Sequence, residues 1–269
     1  MHILKGYTKQ EISWMMYDWA NSAHSVIIVT LLPIFFDTVA GYTADSVSSM
    51  STWGYATSIA MLIVALAAPF LGVFGDIRGM RKKLFSFFML LGVAACAGMA
   101  FTPGMDFTSG PVAAGKVASL ILVLYIVSVI GFDASAIYYD AFLTDVTIED
   151  RMDKVSTMGY GLGYIGGSTI PLLIFLIMNL VGVPMLTCLA FVFGLTAVWW
   201  LAFSLPLLKN CEQTSGKPYE KGDVARSIKG VGTTIKEIIA NKPMLIYILS
   251  YFFYIDGVHT VISMATTYG

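Results

Sequence analysis

Long stretches of this chain contain no charged side chain, and they limit its possible folds more than any other feature. Between Val155 and Leu208 there is no Lys, Arg, Asp or Glu. About 20 apolar residues suffice for a helix to cross the hydrocarbon core of a bilayer. Only 12% of all residues are charged, which is too few to cover a water-soluble fold of 269 residues. We therefore expect an all-α integral membrane protein.

The uncharged stretches predict seven transmembrane helices. Helices are expected because the stretches lack the strict alternation of barrel strands. The stretch 155–208 is too long for one helix, and it divides at the turn Asn179–Pro184 into a fifth and a sixth span. The predicted spans are Ile12–Phe36, Trp53–Gly75, Leu84–Thr102, Val117–Phe142, two within Val155–Leu208, and Pro243–Gly269.

These spans predict three sections: a six-helix half (1–208), a cytoplasmic linker (209–242) and a seventh helix (243–269). Apolar residues of the linker recur at spacings of four and three, which predicts an amphipathic helix on the membrane surface, although a solvated linker helix is the alternative. They are Val224, Ile228, Val231, Ile235 and Ile238. Because the chain stops directly after an odd span, a truncated chain is expected; a complete small protein that needs a partner is the alternative.

Basic residues predict the orientation, because cytoplasmic loops are rich in Lys and Arg. Fifteen of the 16 fall on one side of the predicted spans, and Lys116 alone falls on the other. The amino terminus is therefore expected in the cytoplasm. The order Thr8-Lys9-Gln10-Glu11 is typical of a capping box, and no small-residue cleavage site follows, which indicates a retained helix rather than a signal peptide.

Polar residues inside the spans are the first candidates for function, because a charge at the bilayer centre costs about 2.5 to 3.5 kcal/mol. In the first helix, one stripe at i, i+3, i+4 and i+7 holds Asp18, Asn21, Ser22 and Ser25, and His24 lies at its flank. In the fourth helix, one face holds Asp133 and Asp140, about 10 Å apart. In the seventh helix, one face holds Asp256 and His259.

No Lys or Arg lies within a predicted span, so these carboxyl groups have no basic partner at their own depth. A carboxyl group in that setting can take up and release a proton, which favours a proton-coupled carrier. The alternative is that Asp18 and Asp140 reach the interface and that Asp133 hydrogen-bonds to a neighbouring helix.

Two glycine patterns indicate close helix contacts. In the loop after the second span, Gly72 permits close approach, Asp76 ends the helix at the cytoplasmic border, Gly79 permits a tight turn, and Arg81 belongs to a basic cluster. This is the candidate gating loop. In the fifth span, small residues at helical spacing predict a face for another helix. They are Gly159, Gly163, Gly166 and Gly167.

Five segments resemble known families. The segment 72–83 resembles the loop between helices two and three of the major facilitator superfamily, whose pattern G-x-x-x-D-x-x-G continues into basic residues; Ile77 and Met80 stand where many members have arginine. The other four are similar to the branch of the autophagy-related vacuolar amino-acid effluxer and its bacterial relatives. They are Tyr17–Ser22, Tyr139–Asp145, Gly159–Gly167 and Tyr254–Val258.

This resemblance implies a major facilitator-type bundle of twelve helices in two halves, of which this chain holds the first half, the linker and one further helix. It also implies alternating access, with Asp76 and Arg81 steadying the cytoplasmic gate and the first and fourth helices lining the central path. The bacterial cytoplasmic membrane is the expected location.

The leading hypothesis is a secondary active transporter of a small solute, with amino acids as one candidate cargo and protons as one candidate coupling ion. The rivals are a membrane scaffold or sensor that does not translocate, and a half-transporter that needs a partner. No catalytic motif or cluster of metal ligands occurs in the sequence, which argues against an enzyme and against a cofactor or metal. A net charge of −1 gives no excess of basic residues of the kind that binds nucleic acid. The oligomeric state stays open.

Overall fold

The computed structural model of the chain describes residues 4–43, 49–216, 218 and 223–268. Within these ranges the regular structure is helical and contains no strand, so the predicted all-α class is confirmed. The described α-helices are α1 (Lys9–Ala40), α2 (Ser49–Gly75), α3 (Arg81–Met99), α4 (Pro111–Val146), α5 (Glu149–Leu162), α6 (Thr169–Leu180), α7 (Met185–Asn210), α8 (Asp223–Ala240) and α9 (Lys242–Tyr268).

Six helical stretches of the described chain are long and apolar enough to cross a membrane. They correspond to the first six predicted spans, the fifth being built from α5, a π-helical turn at Gly163–Ser168, and α6. A seventh stretch is reached when Lys229–Ala240 and Lys242–Val258 are taken together, although these two helices meet at a bend of 101°. The predicted seventh span covers the residues of α9 and stays a prediction.

Several helices are longer than the uncharged stretches that predicted them. α4 begins at Pro111 rather than Val117 and ends at Val146 rather than Phe142. The α-helix of the third span is displaced instead, running from Arg81 to Met99. Helices can continue through the polar headgroup region, where charged side chains reach water, so charge marks the border of the hydrocarbon core better than the end of a helix.

The centre of the bundle is α1, which packs against α4, the whole fifth span and α7. Its side chains Tyr17, Ile27 and Leu32 are fully buried. By contrast, α2 exposes large apolar side chains, among them Leu62 and Leu66. Such exposure is expected of a protein whose solvent is largely lipid, because lipid tails are as apolar as the side chains themselves.

Glycine lets α3 and α4 cross with their backbones in contact. A Cβ atom added at Gly131 of α4 would lie 2.5 Å from the amide nitrogen of Gly92 in α3. A Cβ atom at Gly92 would lie 2.4 Å from the ring of Trp200 in α7. Any larger residue at either position must therefore separate the helices, which fixes the three-helix packing that supports α4.

Candidate functional site

The first turn of α1 is fixed to the rest of the bundle by the predicted capping box. The Glu11 amide donates to Oγ1 of Thr8 at 3.1 Å, and the Thr8 amide donates to Oε2 of Glu11 at 2.7 Å, so this prediction is confirmed. Glu11 also accepts a hydrogen bond from Nε of Arg151 in α5 at 2.9 Å. This ion pair holds the first turn of α1 to α5 and thereby contributes to the rotation of α1 that directs its polar stripe.

Two members of that stripe lie against the glycine face of the fifth span. A Cβ atom at Gly159 would come within 2.5 Å of Oδ2 of Asp18, and one at Gly163 within 2.6 Å of Oγ of Ser22. The hydroxyl group of Ser168 donates to the carbonyl oxygen of Ser22 at 3.3 Å. The close helix approach that the glycines predicted is therefore present, and its partner is α1.

The π-helical turn at Gly163–Ser168 had no counterpart in the sequence predictions. It places Gly166 directly under the indole ring of Trp19, since a Cβ atom there would lie 1.9 Å from the ring. A π turn inserts one extra residue into an α-helix and often marks a functional site. The glycine run was the available signal, because only residues without a side chain allow such contact.

Polar side chains of α1 also pair with α4. We call this contact the α1–α4 seam. The hydroxyl group of Tyr139 donates to Oδ2 of the buried Asp18 at 2.8 Å. The hydroxyl groups of Tyr17 and Ser135 lie 2.8 Å apart. Asp18 makes no ion pair within the described residues. Its partner in the seam is a neutral hydroxyl group.

His24 continues the seam deeper into the bundle. Its Nε2 lies 3.3 Å from the hydroxyl oxygen of Ser128, and its ring stacks on Phe132 with centroids 4.8 Å apart. The ring is buried, and its Nδ1 has no hydrogen-bond partner among the described residues. The sequence placed His24 at the flank of the stripe; the structure makes it part of the seam.

The two further carboxyl groups of α4 are less enclosed. Asp133 is half-buried and Asp140 is exposed, and neither makes a hydrogen bond or ion pair with a described residue. Asp140 lies near enough to Asp18 for their charges to interact, and the exposed Tyr160 is within electrostatic range of both. We call Asp18, Asp140 and Tyr160 the polar group; Asp140 and Tyr160 are exposed, whereas Asp18 is buried.

The remaining predicted site residues are spread more widely. Asn21 is buried and Ser25 is half-buried on α1. Asp256 lies exposed on α9, a helix that packs against α1. The side chain of His259 lies outside the described residues, as do those of Val224 and Ile228 in α8.

In the gating loop, Gly79 adopts φ +81°, the left-handed conformation that only glycine accepts without strain. A Cβ atom at Gly72 would meet nothing within 4 Å, so no described residue uses the close approach expected there. Arg81, the first residue of α3, is buried. Its guanidinium group lies 3.8 Å from the exposed carboxylate of Asp76 and forms a closer ion pair with Asp145 at the end of α4.

Asp145, which the sequence predictions did not single out, is thus the closer ion-pair partner of Arg81. Its side chain is fully buried and holds the guanidinium group of Arg81. Asp145 closes the segment Tyr139–Asp145 that carried the family resemblance, and that segment was the available signal. Gln213 and Ser215 also contact the gate from beyond α7. Nothing in their sequence context indicated this, because polar residues are ordinary in a linker.

Comparison with known proteins assigns the family. The family described as "Vacuole effluxer Atg22 like" matches residues 42–149 and 144–269. The chain belongs to this family. It is 40% identical over 275 aligned residues to the uncharacterized MFS-type transporter YxiO of Bacillus subtilis, an alignment that covers 99% of the chain and 61% of YxiO.

Fungal members of the Atg22-like family match at lower identity. Autophagy-related protein 22-1 of Penicillium rubens is 26% identical over 136 residues, covering 46% of this chain and 23% of that protein. The protein of the same name from Sclerotinia sclerotiorum is 27% identical over 128 residues, covering 42% and 21%. The family and the helices together establish a multi-pass integral membrane protein with a major facilitator-type helical bundle.

Proposed function

We propose that this Atg22-like protein moves a small solute across the membrane by alternating access, with protons as the coupling ion. The transporter name of its bacterial relative supports transport in general. Because the chain spans 61% of that relative, the proposal concerns the protein in which 1–208 form one six-helix half, 209–242 a cytoplasmic linker, and 243–269 the first helix of a second half.

The observation that carries the proposal is the setting of Asp18. Its carboxyl group is buried in a predicted span, accepts a hydrogen bond from Tyr139, and makes no ion pair with a described residue. A carboxylate with only a neutral partner is costly in the membrane and is retained where it serves a function. Protonation removes that cost, so uptake and release of a proton can be linked to movement of the helices around Asp18.

Asp140 and Asp133 supply the second element of the proposal. They lie seven residues apart on α4, about 10 Å along the axis, and both leave their carboxyl oxygens free of described protein partners. Oxygens without protein partners can bind the solute or a proton. We extend the path to Asn21, Ser22 and Ser25 on α1 and to Asp256 and His259 on α9; this part of the path stays a prediction.

Amino acids are the proposed solute class. The resemblance to the vacuolar amino-acid effluxer suggests this class, and the chemistry of the polar group agrees with it. A carboxylate pairs with an ammonium group, and a tyrosine ring attracts a cation over its face. Asp140 and Tyr160 are both exposed, so such a group can reach them.

The orientation and the linker complete the proposal. We propose a cytoplasmic amino terminus, since the basic residues other than Lys116 lie on the side of the gating loop. α8 then lies on the cytoplasmic membrane surface, as its bend of 101° to α9 suggests. Impermeant maleimide labelling of cysteines placed at Lys116 and Lys83 tests the orientation: both labelled from the same side would contradict it.

We expect the native cysteines to react little with the maleimide. Cys96, Cys188 and Cys211 are all buried. Burial also raises the pKa of the Cys211 thiol, which lies just beyond α7, to about 12. A thiol reacts as its thiolate, so Cys211 stays unreactive near neutral pH.

Transport in proteoliposomes tests the function. We expect the full-length protein to drive uptake of at least one amino acid in response to an imposed pH gradient. Asp18→Asn keeps the shape of the side chain but cannot exchange a proton, so its flux should lose most of its response to the gradient, by about tenfold or more. Asp133→Asn and Asp140→Asn measure which carboxyl group shares this role.

Asp153→Asn is the matched control, because Asp153 is exposed on α5 and makes no hydrogen bond or ion pair with a described residue. Its flux should equal that of the wild type. An unchanged gradient response in all three seam and α4 variants would refute proton coupling through these groups. A folded wild-type protein without flux of any amino acid would favour the scaffold or sensor hypothesis.

A further inference from the structure

The chain does not leave the bundle where α7 ends. At Asn210 the side-chain amide donates to Oγ of Ser13 in α1 at 2.9 Å. The next residue, Cys211, is buried, and its thiol lies 3.6 Å from the carbonyl oxygen of Gln10. These contacts hold the start of the linker against the cytoplasmic end of α1. From there, residues 213–216 cross to the gating loop.

Gln213 closes the gating loop with one side chain. Its Nε2 donates to the carbonyl oxygen of Gly75, the last residue of α2, at 3.0 Å. Its Oε1 accepts from the amide of Gly79 at 2.8 Å and from the amide of Arg81 at 3.3 Å. A single amide group therefore satisfies backbone groups on both sides of the loop, so the end of α2 and the start of α3 are held together from outside the loop.

The next two residues bind the carboxylate of Asp145. Its Oδ1 accepts from the amide of Thr214 at 3.0 Å, from the Thr214 hydroxyl at 2.9 Å, from the Ser215 amide at 2.9 Å and from the Ser215 hydroxyl at 2.7 Å. Its Oδ2 holds the guanidinium group of Arg81. One oxygen of the Asp145 carboxylate thus binds the segment, and the other binds Arg81.

Ser215 and Gly216 complete the contact. Oγ of Ser215 accepts from Nη1 of Arg81 at 3.1 Å, so this hydroxyl group touches both members of the ion pair. Gly216 has φ +116°, and a Cβ atom there would lie 2.8 Å from the carbonyl oxygen of Asp76. The backbone can pass this close to the loop only because Gly216 has no side chain.

The exposure of these residues separates a fixed part from a releasable part. Arg81 and Asp145 are buried, whereas Thr214, Ser215 and Gly216 are exposed to solvent. Hydrogen bonds that water can replace contribute little net stability each, so the segment can detach while the buried ion pair persists. Gln213 is half-buried and lies at the border between the two parts.

We propose that Gln213, Thr214 and Ser215 form a latch on the cytoplasmic gate, which holds the α2–α3 loop to the end of α4 and detaches as one unit when the gate opens. The gating role rests on the proposed function; the latch as a cooperative unit is a property of the folded protein. None of the three residues belongs to the loop pattern that identified the gate.

Hydrogen exchange of the full-length protein in nanodiscs, followed by mass spectrometry, tests the latch. In Gln213→Ala, the amides of Gly79 and Arg81 lose their acceptor and should exchange about tenfold faster. If the segment detaches as a unit, the amides of Thr214 and Ser215 should also exchange faster by a similar factor, although the substitution leaves their own acceptor, Asp145, in place. For the same reason, Ser215→Ala should speed up hydrogen exchange at the amides of Gly79 and Arg81.

Glu212→Gln is the matched control, since Glu212 is exposed in the same segment and makes no hydrogen bond or ion pair with a described residue; its exchange should match the wild type. Acceleration confined to the amides beside each substitution would overturn the latch, because the contacts would then act independently. Ser215→Ala keeps the test valid should Gln213→Ala fail to fold.

Transport separates the failure of the latch from that of the proposed function. A wild-type protein without solute flux refutes the proposed function, while the exchange pattern still decides the latch. If the wild type transports and the exchange is cooperative, Gln213→Ala should change the rate of flux at saturating solute at least threefold, since the gate then opens more readily, and the Glu212→Gln variant should not.

Discussion

The bundle holds two carboxylates that have little or no exposure and very different partners. They are Asp145 at the gate and Asp18 in the α1–α4 seam. Asp145 holds a guanidinium group and accepts four further hydrogen bonds from Thr214 and Ser215. Asp18 has the hydroxyl group of Tyr139 as its hydrogen-bond donor. A carboxylate surrounded by donors and a cation stays charged and fixed, whereas one with a neutral donor can change its protonation state. The two carboxylates therefore differ in what holds them: a cation and four further hydrogen bonds at Asp145, and one neutral hydroxyl group at Asp18.

The largest expected effect comes from breaking the gate pair. In Arg81→Gln, the buried Asp145 loses its cation, and we expect the free energy of unfolding to fall by about 3 to 5 kcal/mol. Thermal unfolding in detergent measures this. Lys83→Gln, an exposed residue of the same basic cluster, is the control and should change little.

The double variant Arg81→Gln with Asp145→Asn sharpens the same test. If the unpaired charge causes the loss, neutralising Asp145 should restore part of the stability, because two neutral side chains can hydrogen-bond to each other. A double variant no more stable than Arg81→Gln alone would show that the unpaired charge of Asp145 does not cause the loss of stability.

A smaller effect is expected where α1 meets the glycine face of the fifth span. Gly163→Ala places a Cβ atom 2.6 Å from Oγ of Ser22 and 3.1 Å from the carbonyl oxygen of Asp18, so the hydroxyl group must rotate and the backbone of α1 must give slightly. We expect a loss of about 1 to 3 kcal/mol in unfolding experiments. Gly161→Ala is the matched control, since a Cβ atom there meets nothing within 4 Å. Adding Ser22→Ala to Gly163→Ala should recover part of the loss. Equal stability of the two alanine variants would mean that the glycine face of the fifth span does not pack tightly against α1.

The smallest effect is expected within the seam itself. Tyr139→Phe removes the donor to Asp18 but keeps the ring, which stacks on Trp14 with centroids 4.3 Å apart. We expect a loss of about 1 kcal/mol, well below that of Arg81→Gln. Tyr160→Phe, at a ring that is 60% exposed, should change nothing measurable. A loss at Tyr139 as large as at Arg81 would remove the contrast between seam and gate.

The gate shows how far sequence reasoning reached and where it stopped. Gly79 and Arg81 were assigned from the spacing of a loop pattern, and the left-handed backbone of Gly79 gives its physical reason. Asp145 and Gln213 were not assigned, because they lie 64 and 132 residues from Arg81 along the chain. A local pattern carries no information about which distant side chain will face it.

The seam shows the same limit at the level of helix rotation. Asp18 and Ser22 were predicted on one stripe because helical spacing is local. That this stripe meets the glycine face of the fifth span, while Tyr139 approaches Asp18 from α4, depends on how α1 is rotated. The ion pair between Glu11 and Arg151 contributes to that rotation, and those residues are 140 apart in sequence.

The sequence alone determined what depends on neighbours along the chain: six spans from their apolar length, the start of α1 from its capping box, and the family from short ordered motifs. Only the tertiary structure decided the partner of Arg81, the π-helical turn under Trp19, and the return of Gln213 to the gating loop. The physical reason is that lipid selects helices by composition, residue by residue, whereas contacts between helices follow from rotation and packing that involve the whole bundle at once.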